Sequence, residues 1–165
     1  MSASIEIGPL IGKGADAEVF AFGPHVLKLF VDPADKSSAF TEAQNLVIAA
    51  AHDLPVPAVH TVGQFDGRWG LVMDRVEGEP LADLVRRVPD SLDESLAAMG
   101  RLHLRLHAAS EPRLRPLKPK LASAIAAAPQ LDPGLKVHLA EKLADLPDGQ
   151  SICHGDFHPF NLIGP

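Results

Sequence analysis

Residues 153–165 read CHGDFHPFNLIGP, and they are the most informative stretch of the chain. Within it, His154 stands two positions before Asp156, and Asn161 stands five positions after that aspartate. A carboxylate can accept a proton, and an amide oxygen can hold a hard cation. Residues 151–154 predict a short strand that leads into the loop. The sequence therefore places a proton acceptor and a cation ligand in one loop.

The spacing of these three residues is that of a kinase-type catalytic loop. In such loops the aspartate takes the proton of the substrate hydroxyl, and the asparagine holds a magnesium ion. An alternative for the same stretch is a metal site built from Cys153, His154, Asp156 and His158. No second ligand cluster in the sequence completes that set, whereas structural zinc sites usually draw on paired ligands.

The first half of the chain is predicted to form strands and one helix. Apolar residues at helical spacing indicate the helix over residues 40–51. The last two strands form a hairpin around Asp66 and Gly67, which is a strong short-range signal. The predicted strands cover residues 4–11, 18–22, 25–30, 59–65 and 68–74.

The second half is predicted to be mostly helical. One helix follows the capping-box pair Ser91 and Glu94 and runs to about Ala109. The other helices cover residues 80–88, 116–128 and 133–146. The fold class is therefore α+β, with a five-stranded antiparallel sheet and one helix in residues 1–76 and a helical part in residues 77–165.

Two further pieces of the first half carry candidate chemistry. In residues 11–19, IGKGADAEV, Gly12 and Gly14 would let the backbone approach a phosphate closely, although a glycine pair between strands is usually only a tight turn. Lys28 lies inside an apolar strand, and Glu42 follows early on the next helix. They are either a phosphate-binding lysine with its partner or an edge-strand lysine and a first-turn acid.

Composition limits the class of partner and the compartment. The 165 residues are 46% hydrophobic and carry a formal net charge of −6, which argues against a general nucleic-acid binder. A single cysteine fits a reducing compartment. We find neither a signal peptide nor a membrane-spanning run, so the expected location is the cytoplasm.

The order of these pieces resembles the aminoglycoside phosphotransferase and choline kinase group of small-molecule kinases. His-Gly-Asp at 154–156 stands where protein kinases have His-Arg-Asp, and residues 99–107, MGRLHLRLH, resemble a helix of that group. Residues 146–149, LPDG, followed by the loop are similar to a bacterial subset of phosphotransferases. The resemblance implies a two-lobed protein-kinase-like fold that uses ATP and Mg²⁺ to phosphorylate a small-molecule hydroxyl.

The resemblance also implies roles for residues of this sequence. Asp156 would be the catalytic base and Asn161 a magnesium ligand, with His154 bracing the loop. Lys28 would hold the phosphates, fixed by Glu42, while Asp74 and Val76 would offer main-chain contacts to adenine beside Met73. The implied nucleotide-binding set is Gly12, Gly14, Val19, Lys28, Glu42, Met73, Asp74 and Val76.

One element of the group's pattern has no counterpart in the sequence. A second metal-binding acid should follow a strand pair after Asn161, and residues 162–165 contain none. We therefore expect this chain to be a fragment of a longer kinase with little or no activity of its own. A non-catalytic, kinase-like binding module is the alternative.

His103 and His107, four apart on one helix, are expected to be packing residues rather than metal ligands.

Overall fold

A five-stranded antiparallel sheet forms the centre of the N-terminal half. The computed structural model describes residues 6–164 of the chain. The strands are β1 Leu10–Lys13, β2 Ala17–Phe22, β3 His25–Phe30, β4 Val59–Phe65 and β5 Arg68–Asp74. Their spatial order is β1-β2-β3-β5-β4, and every neighbouring pair is antiparallel. The predicted five-stranded sheet is confirmed.

The first strand is shorter and later than residues 4–11, over which it was predicted. Positions 4 and 5 of that prediction lie outside the described residues. Gly8 donates to the Ala21 carbonyl at 2.8 Å, and Ala21 donates to the Pro9 carbonyl at 3.0 Å. Proline has no N–H to continue a regular ladder, and the register of β1 shifts between Leu10 and Gly12. Regular pairing with β2 therefore belongs to Leu10–Lys13.

The helix of the N-terminal half, α1, spans Lys36–Ala51 and begins four residues before its predicted start at position 40. Asp35 is its N-cap, because the side chain accepts a hydrogen bond from the Ser38 N–H at 3.0 Å. Helix α1 contributes Ala39 to a core cluster with Ala17, Phe30 and Leu71. A second cluster contains Leu27, Leu29 and Val72. Alternation along β3 sends Leu27 and Phe30 to opposite faces, so both faces of the sheet are apolar.

The chain leaves the sheet through a close backbone approach that the sequence did not predict. Strand β6, Glu79–Pro80, pairs with β7, Ile163–Gly164, next to the end of the chain. Gly78 has a φ of +120°, and a Cβ atom there would lie 1.9 Å from the Gly164 carbonyl oxygen. Only glycine fits this position. Helix α2, Leu81–Arg87, a 3₁₀ turn at Pro89–Ser91 and helix α3, Leu92–Ala108, follow.

The described chain divides into two compact units. One runs up to Gly100 and includes the loop from Asp156 onward, and the other spans Arg101–Gly155. The predicted lobe boundary between residues 76 and 77 stays a prediction. Among residues 6–164, no helix combines the length and apolar composition that crossing a bilayer requires.

The unit of Arg101–Gly155 contains a helical hairpin. Helix α4 spans Leu117–Ala127 and α5 spans Pro133–Asp145, with Asp132 as the N-cap of α5 and its proline in the first turn. The Lys118 ammonium donates to the Ala144 carbonyl at 3.2 Å and to the Leu146 carbonyl at 2.6 Å, which ties the two helices together.

The strand predicted over residues 151–154 is wrong. Ser151 makes only a single bridge to Ser110, and Ile152 donates to the Ala109 carbonyl at 2.9 Å. The apolar pattern here reflects burial of Ile152 rather than a ladder of strand hydrogen bonds.

Candidate functional site

The predicted pair of Lys28 and Glu42 is in direct contact. Lys28 lies in the middle of β3, opposite Val19 of β2 and Leu71 of β5. Directly opposed residues send their side chains to the same face of a sheet, here the face that α1 covers. The Lys28 Nζ atom lies 2.7 Å from both carboxylate oxygens of Glu42 on α1.

Both side chains of this pair are only partly exposed, by 26% for Lys28 and 29% for Glu42. A part-buried ammonium requires a partner, and Glu42 supplies it. An ammonium carries three N–H donors, so two bonds to Glu42 leave one for another acceptor. The pair is therefore a positioned cation with one donor available to an anionic ligand.

The glycine stretch forms the hairpin between β1 and β2. Gly12 pairs with Val19, and the Gly14 N–H donates to the Ala17 carbonyl at 2.8 Å to close the turn. Gly12, Val19 and Lys28 thus form one lateral row across three neighbouring strands. A Cβ atom at Gly12 would lie 3.6 Å from the Val19 Cβ, which is an ordinary contact. Packing within the chain therefore does not require glycine at position 12.

A charged cluster, which the sequence reasoning missed, braces this hairpin. Glu18 contacts the Lys13 ammonium at 3.1 Å and the Arg68 guanidinium at 2.8 Å. The hydrogen bond from Arg68, followed by that from Lys13, holds the pKa of Glu18 below its usual value. Arg68 also donates to the Phe30 carbonyl at 2.9 Å and the Leu29 carbonyl at 3.2 Å. Arg68 thereby fastens β5 to β2 and to the end of β3.

The end of β5 contains Met73 and Asp74, which are followed by Val76. Met73 packs against the core cluster on the α1 side of the sheet. The Asp74 N–H donates to the Ala58 carbonyl at 2.9 Å and is thus used within the fold. The side chain of Val76 is exposed beyond the strand. Any main-chain contact of Asp74 with a ligand is therefore limited to its carbonyl oxygen.

The candidate catalytic loop is a hydrogen-bonded turn. The Asn161 N–H donates to the His158 carbonyl at 2.9 Å, which closes the turn. The Asn161 side-chain amide donates to the Asp156 carboxylate at 2.9 Å and to its backbone carbonyl at 3.0 Å. His158 Nε2 lies 3.3 Å from the same carboxylate. The side chains of Asp156 and Asn161, the predicted base and magnesium ligand, are therefore in contact. The Asp156 side chain is 73% exposed.

The start of α2 holds the loop in place. The N–H groups of a helix's first turn have no partner within the helix. Here the Leu81 N–H donates to the Leu162 carbonyl at 2.8 Å, and the Ala82 N–H donates to the Pro159 carbonyl at 3.1 Å. The Arg86 guanidinium lies 4.9 Å from the centre of the Phe160 ring. No local sequence pattern indicates these contacts, because they join segments about 80 residues apart.

The alternative metal set of the loop does not assemble among residues 6–164. The ligand atoms of Cys153, His154, Asp156 and His158 do not gather into a group of three within 4.8 Å. The Cys153 thiol instead contacts the Ser151 carbonyl at 3.6 Å. In the other unit the rings of His103 and His107 lie 4.1 Å apart, in contact with each other as expected for neighbours on one helix face.

Comparisons with known proteins identify the family of this chain. Residues 8–163 match the family model of the phosphotransferase enzyme family, APH. No curated protein sequence matches the chain significantly. A ternary complex of a thermostable mutant of aminoglycoside phosphotransferase APH(4)-Ia with AMP-PNP and hygromycin B is similar in structure. Its TM-score is 0.66 at 17% identity, over 98% of this chain and 63% of that chain.

Two other solved structures agree in fold. An aminoglycoside-3'-phosphotransferase of type VIII has a TM-score of 0.57 at 25% identity, over 97% of this chain and 65% of that one. APH(3'')-Id from Streptomyces rimosus has a TM-score of 0.54 at 21% identity, over 94% and 64%. The chain spans less than two thirds of the length of each of the three. Because the family model matches nearly the whole sequence, the chain belongs to the phosphotransferase enzyme family and has a protein-kinase-like fold.

Proposed function

We propose that this chain contains the nucleotide-binding and proton-accepting parts of a kinase that transfers the γ-phosphate of ATP to a hydroxyl group of a small molecule. The observation that carries the proposal is the contact between Asp156 and Asn161 in a chain of the phosphotransferase enzyme family. The Lys28–Glu42 pair supports it independently, because a part-buried lysine with one remaining donor suits a phosphate oxygen.

The nucleotide is proposed to lie along the row formed by Gly12, Val19 and Lys28. Gly12 and Gly14 carry no side chains, so the backbone of the hairpin can approach the phosphates closely. Lys28, held by Glu42, neutralises phosphate charge, and Val19 offers an apolar contact on the same face. At the other end of the nucleotide, the main chain of Asp74 and Val76 would contact the adenine edge, with Met73 beside it.

The residues of the loop fit a magnesium ion. Mg²⁺ prefers oxygen ligands and is commonly bound by one or two protein groups together with substrate phosphates. An Asn161 amide whose NH₂ group donates to Asp156 has its oxygen to offer to the ion. A bound ion would neutralise the negative charge of the phosphates.

The proposed reaction is an in-line displacement in which Asp156 is the base. The acceptor hydroxyl oxygen forms a bond to the γ-phosphorus, and the bond from that phosphorus to the β–γ bridging oxygen breaks. The hydroxyl proton passes to the Asp156 carboxylate, and ADP leaves with the bridging oxygen. Because Asn161 donates to the same carboxylate, its bond fixes the direction in which Asp156 faces the hydroxyl.

Nucleotide binding and phosphoryl transfer are proposed to use different residues. Binding uses residues of the sheet, among them Lys28, whereas transfer also requires Asp156 as the base. Binding is therefore expected to persist in a variant that lacks the base.

The class of acceptor is also a proposal. The protein that has been crystallised with hygromycin B is APH(4)-Ia, not this chain. For this chain we propose a small hydroxyl compound of the aminoglycoside or choline type. We place the reaction in the cytoplasm, where ATP is available and a single cysteine stays reduced.

The test measures binding and transfer separately. The chain is titrated with ATP and Mg²⁺ by calorimetry, then incubated at high concentration with γ-labelled ATP and a panel of aminoglycosides and choline. We expect ATP binding, and Asp156→Asn should lower transfer about 100-fold or more while leaving ATP affinity unchanged. Undiminished transfer by that variant would remove Asp156 from its role. Absence of ATP binding would favour a non-catalytic module.

A further inference from the structure

Three side chains of types that can bind a metal ion meet at one end of the sheet, on the face opposite to that of Lys28. His25 begins β3 and pairs directly with Asp74 at the end of β5. His60 lies on β4 next to them. Because side chains alternate along a strand, His25 and Lys28 point to opposite faces of the sheet. This cluster is therefore distinct from the row that contains Lys28.

The backbone brings His60 to the cluster through a bulge. The register of β4 against β5 shifts between Val59 and Thr61, so His60 is an extra residue opposite β5. Bulges of this kind redirect a side chain and occur frequently beside functional sites. Here the bulge brings His60 Nε2 to 2.7 Å from Asp74 Oδ1. Without this extra residue, β4 would pair regularly with β5.

His25 supplies a second, independent observation. Its Nδ1 atom is buried and has no hydrogen-bond partner within residues 6–164. The nearest acidic atom, Asp74 Oδ1, is 3.9 Å away, beyond hydrogen-bond distance. The His25 and His60 rings lie 4.2 Å apart between centroids. The bond between His60 and Asp74 therefore gives each of these two side chains a partner. The buried Nδ1 of His25 has none within residues 6–164.

The chain orients the Asp74 carboxylate. Its Oδ2 atom accepts a hydrogen bond from the Ala58 N–H at 3.2 Å, while Oδ1 faces the two histidine rings. Imidazole nitrogens and carboxylate oxygens are common metal ligands.

We propose that His25 Nδ1, His60 Nε2 and Asp74 Oδ1 bind one divalent transition-metal ion of the zinc class. Two imidazoles and one carboxylate favour Zn²⁺, Co²⁺ or Ni²⁺ over Mg²⁺, which prefers oxygen ligands. The three ligand atoms already lie within 4.8 Å of one another. Tetrahedral zinc with bonds near 2.0–2.1 Å places ligand atoms about 3.3 Å apart. On binding, the distance from His60 Nε2 to Asp74 Oδ1 would lengthen from 2.7 Å, and that from His25 Nδ1 to Asp74 Oδ1 would shorten from 3.9 Å. Side-chain rotation can produce both changes.

The His60 and Asp74 side chains reach solvent, although His25 Nδ1 itself is buried. The side chains of His25, His60 and Asp74 are exposed by 31%, 41% and 48%. Water can therefore complete the coordination, as it does in zinc sites with three protein ligands.

The experiment uses the chain after removal of metals with a chelator. Zn²⁺ is titrated by calorimetry, and Co²⁺ is titrated by visible absorption, which reports its coordination geometry. We expect one ion per chain, with affinity reduced at least about tenfold in each of His25→Ala, His60→Ala and Asp74→Asn. His25→Ala is the decisive variant, because its Nδ1 makes no hydrogen bond whose loss could unfold the chain.

The matched control is the double variant His154→Ala and His158→Ala in the loop, which should leave zinc affinity unchanged. Circular dichroism of each metal-free variant verifies that it remains folded. The proposal is overturned if the chain binds no Zn²⁺ near stoichiometric concentration, or if His25→Ala binds it as tightly as the unmodified chain. It is equally overturned if the loop variant, and not His25→Ala, loses the ion.

Discussion

Gly70 lies within β5, directly opposite Leu29 of β3. A Cβ atom built there would lie 2.3 Å from the Lys28 carbonyl oxygen and 2.7 Å from Leu29 Cδ2. Ordinary carbon–oxygen contacts are about 3.3 Å or longer, so Gly70→Ala requires the two strands to separate by roughly 1 Å. The nearest obstacle is backbone of a paired strand, which cannot rotate away as a side chain can. The substitution therefore strains the pairing that positions Lys28.

The expected cost follows from this geometry. Overpacking in a core costs about 1–3 kcal/mol, and a rigid backbone neighbour places this position at the upper end. Replacing glycine by alanine recovers about 0.4–1 kcal/mol through the unfolded chain. We therefore expect Gly70→Ala to lower the free energy of unfolding by about 2 kcal/mol, which corresponds to a fall in Tm of about 4–8 °C for a chain of this size.

Gly63 supplies the matched control, because it is the residue of β4 that pairs directly with Gly70. A Cβ atom at Gly63 would meet only Phe65 Cε2, at 3.9 Å. Gly63→Ala should therefore change the free energy of unfolding by no more than about 0.5 kcal/mol in either direction. Urea denaturation followed by circular dichroism measures both variants. Equal stability of the two variants would refute the packing argument.

Three further predictions concern the helix cap, the charged cluster and the loop. Asp35→Ala removes the cap of α1 and should cost about 1 kcal/mol in urea denaturation; no loss would show that the cap does not stabilise the helix. Because its pKa is lowered from 4.5, ionised Glu18 stabilises the fold above that pH and loses this contribution as pH falls through its folded value. The stability difference between the unmodified chain and Glu18→Gln should thus shrink in acid, and a pH-independent difference would contradict the account. Asn161→Ala should weaken binding of ATP in the presence of Mg²⁺ but not in its absence, as calorimetry can determine; equal weakening in both conditions would argue against a magnesium ligand.

Local patterns predicted much of the sheet. The hairpin of β4 and β5 was indicated by Asp66 and Gly67, which both have positive φ in the structure. The contact of Lys28 with Glu42 was also expected, because an apolar strand followed by a helix that covers it brings one residue of each together. These features depend on segments that are close in sequence, and their periodicity and turn residues can be read directly from it.

Features that join distant segments were not predicted. Strands β6 and β7 contain two residues each and pair across more than 80 positions, so no periodic pattern marks them. The cluster of His25, His60 and Asp74 depends on strand register and on a bulge, neither of which composition reveals. The strand expected over residues 151–154 was wrong for a related reason. A short apolar run indicates burial but does not specify a hydrogen-bonding partner.

The central proposal is that Lys28 holds the phosphates of ATP, and calorimetric titration of the chain with ATP and Mg²⁺ tests it most directly. Lys28→Met keeps the apolar stem of the side chain and removes the charge, and Lys120→Met on the exposed face of α4 serves as the control. We expect Lys28→Met to weaken ATP binding at least about tenfold, or ~1.4 kcal/mol, while Lys120→Met binds as the unmodified chain does. Equal affinities of all three chains, with the fold intact by circular dichroism, would contradict it.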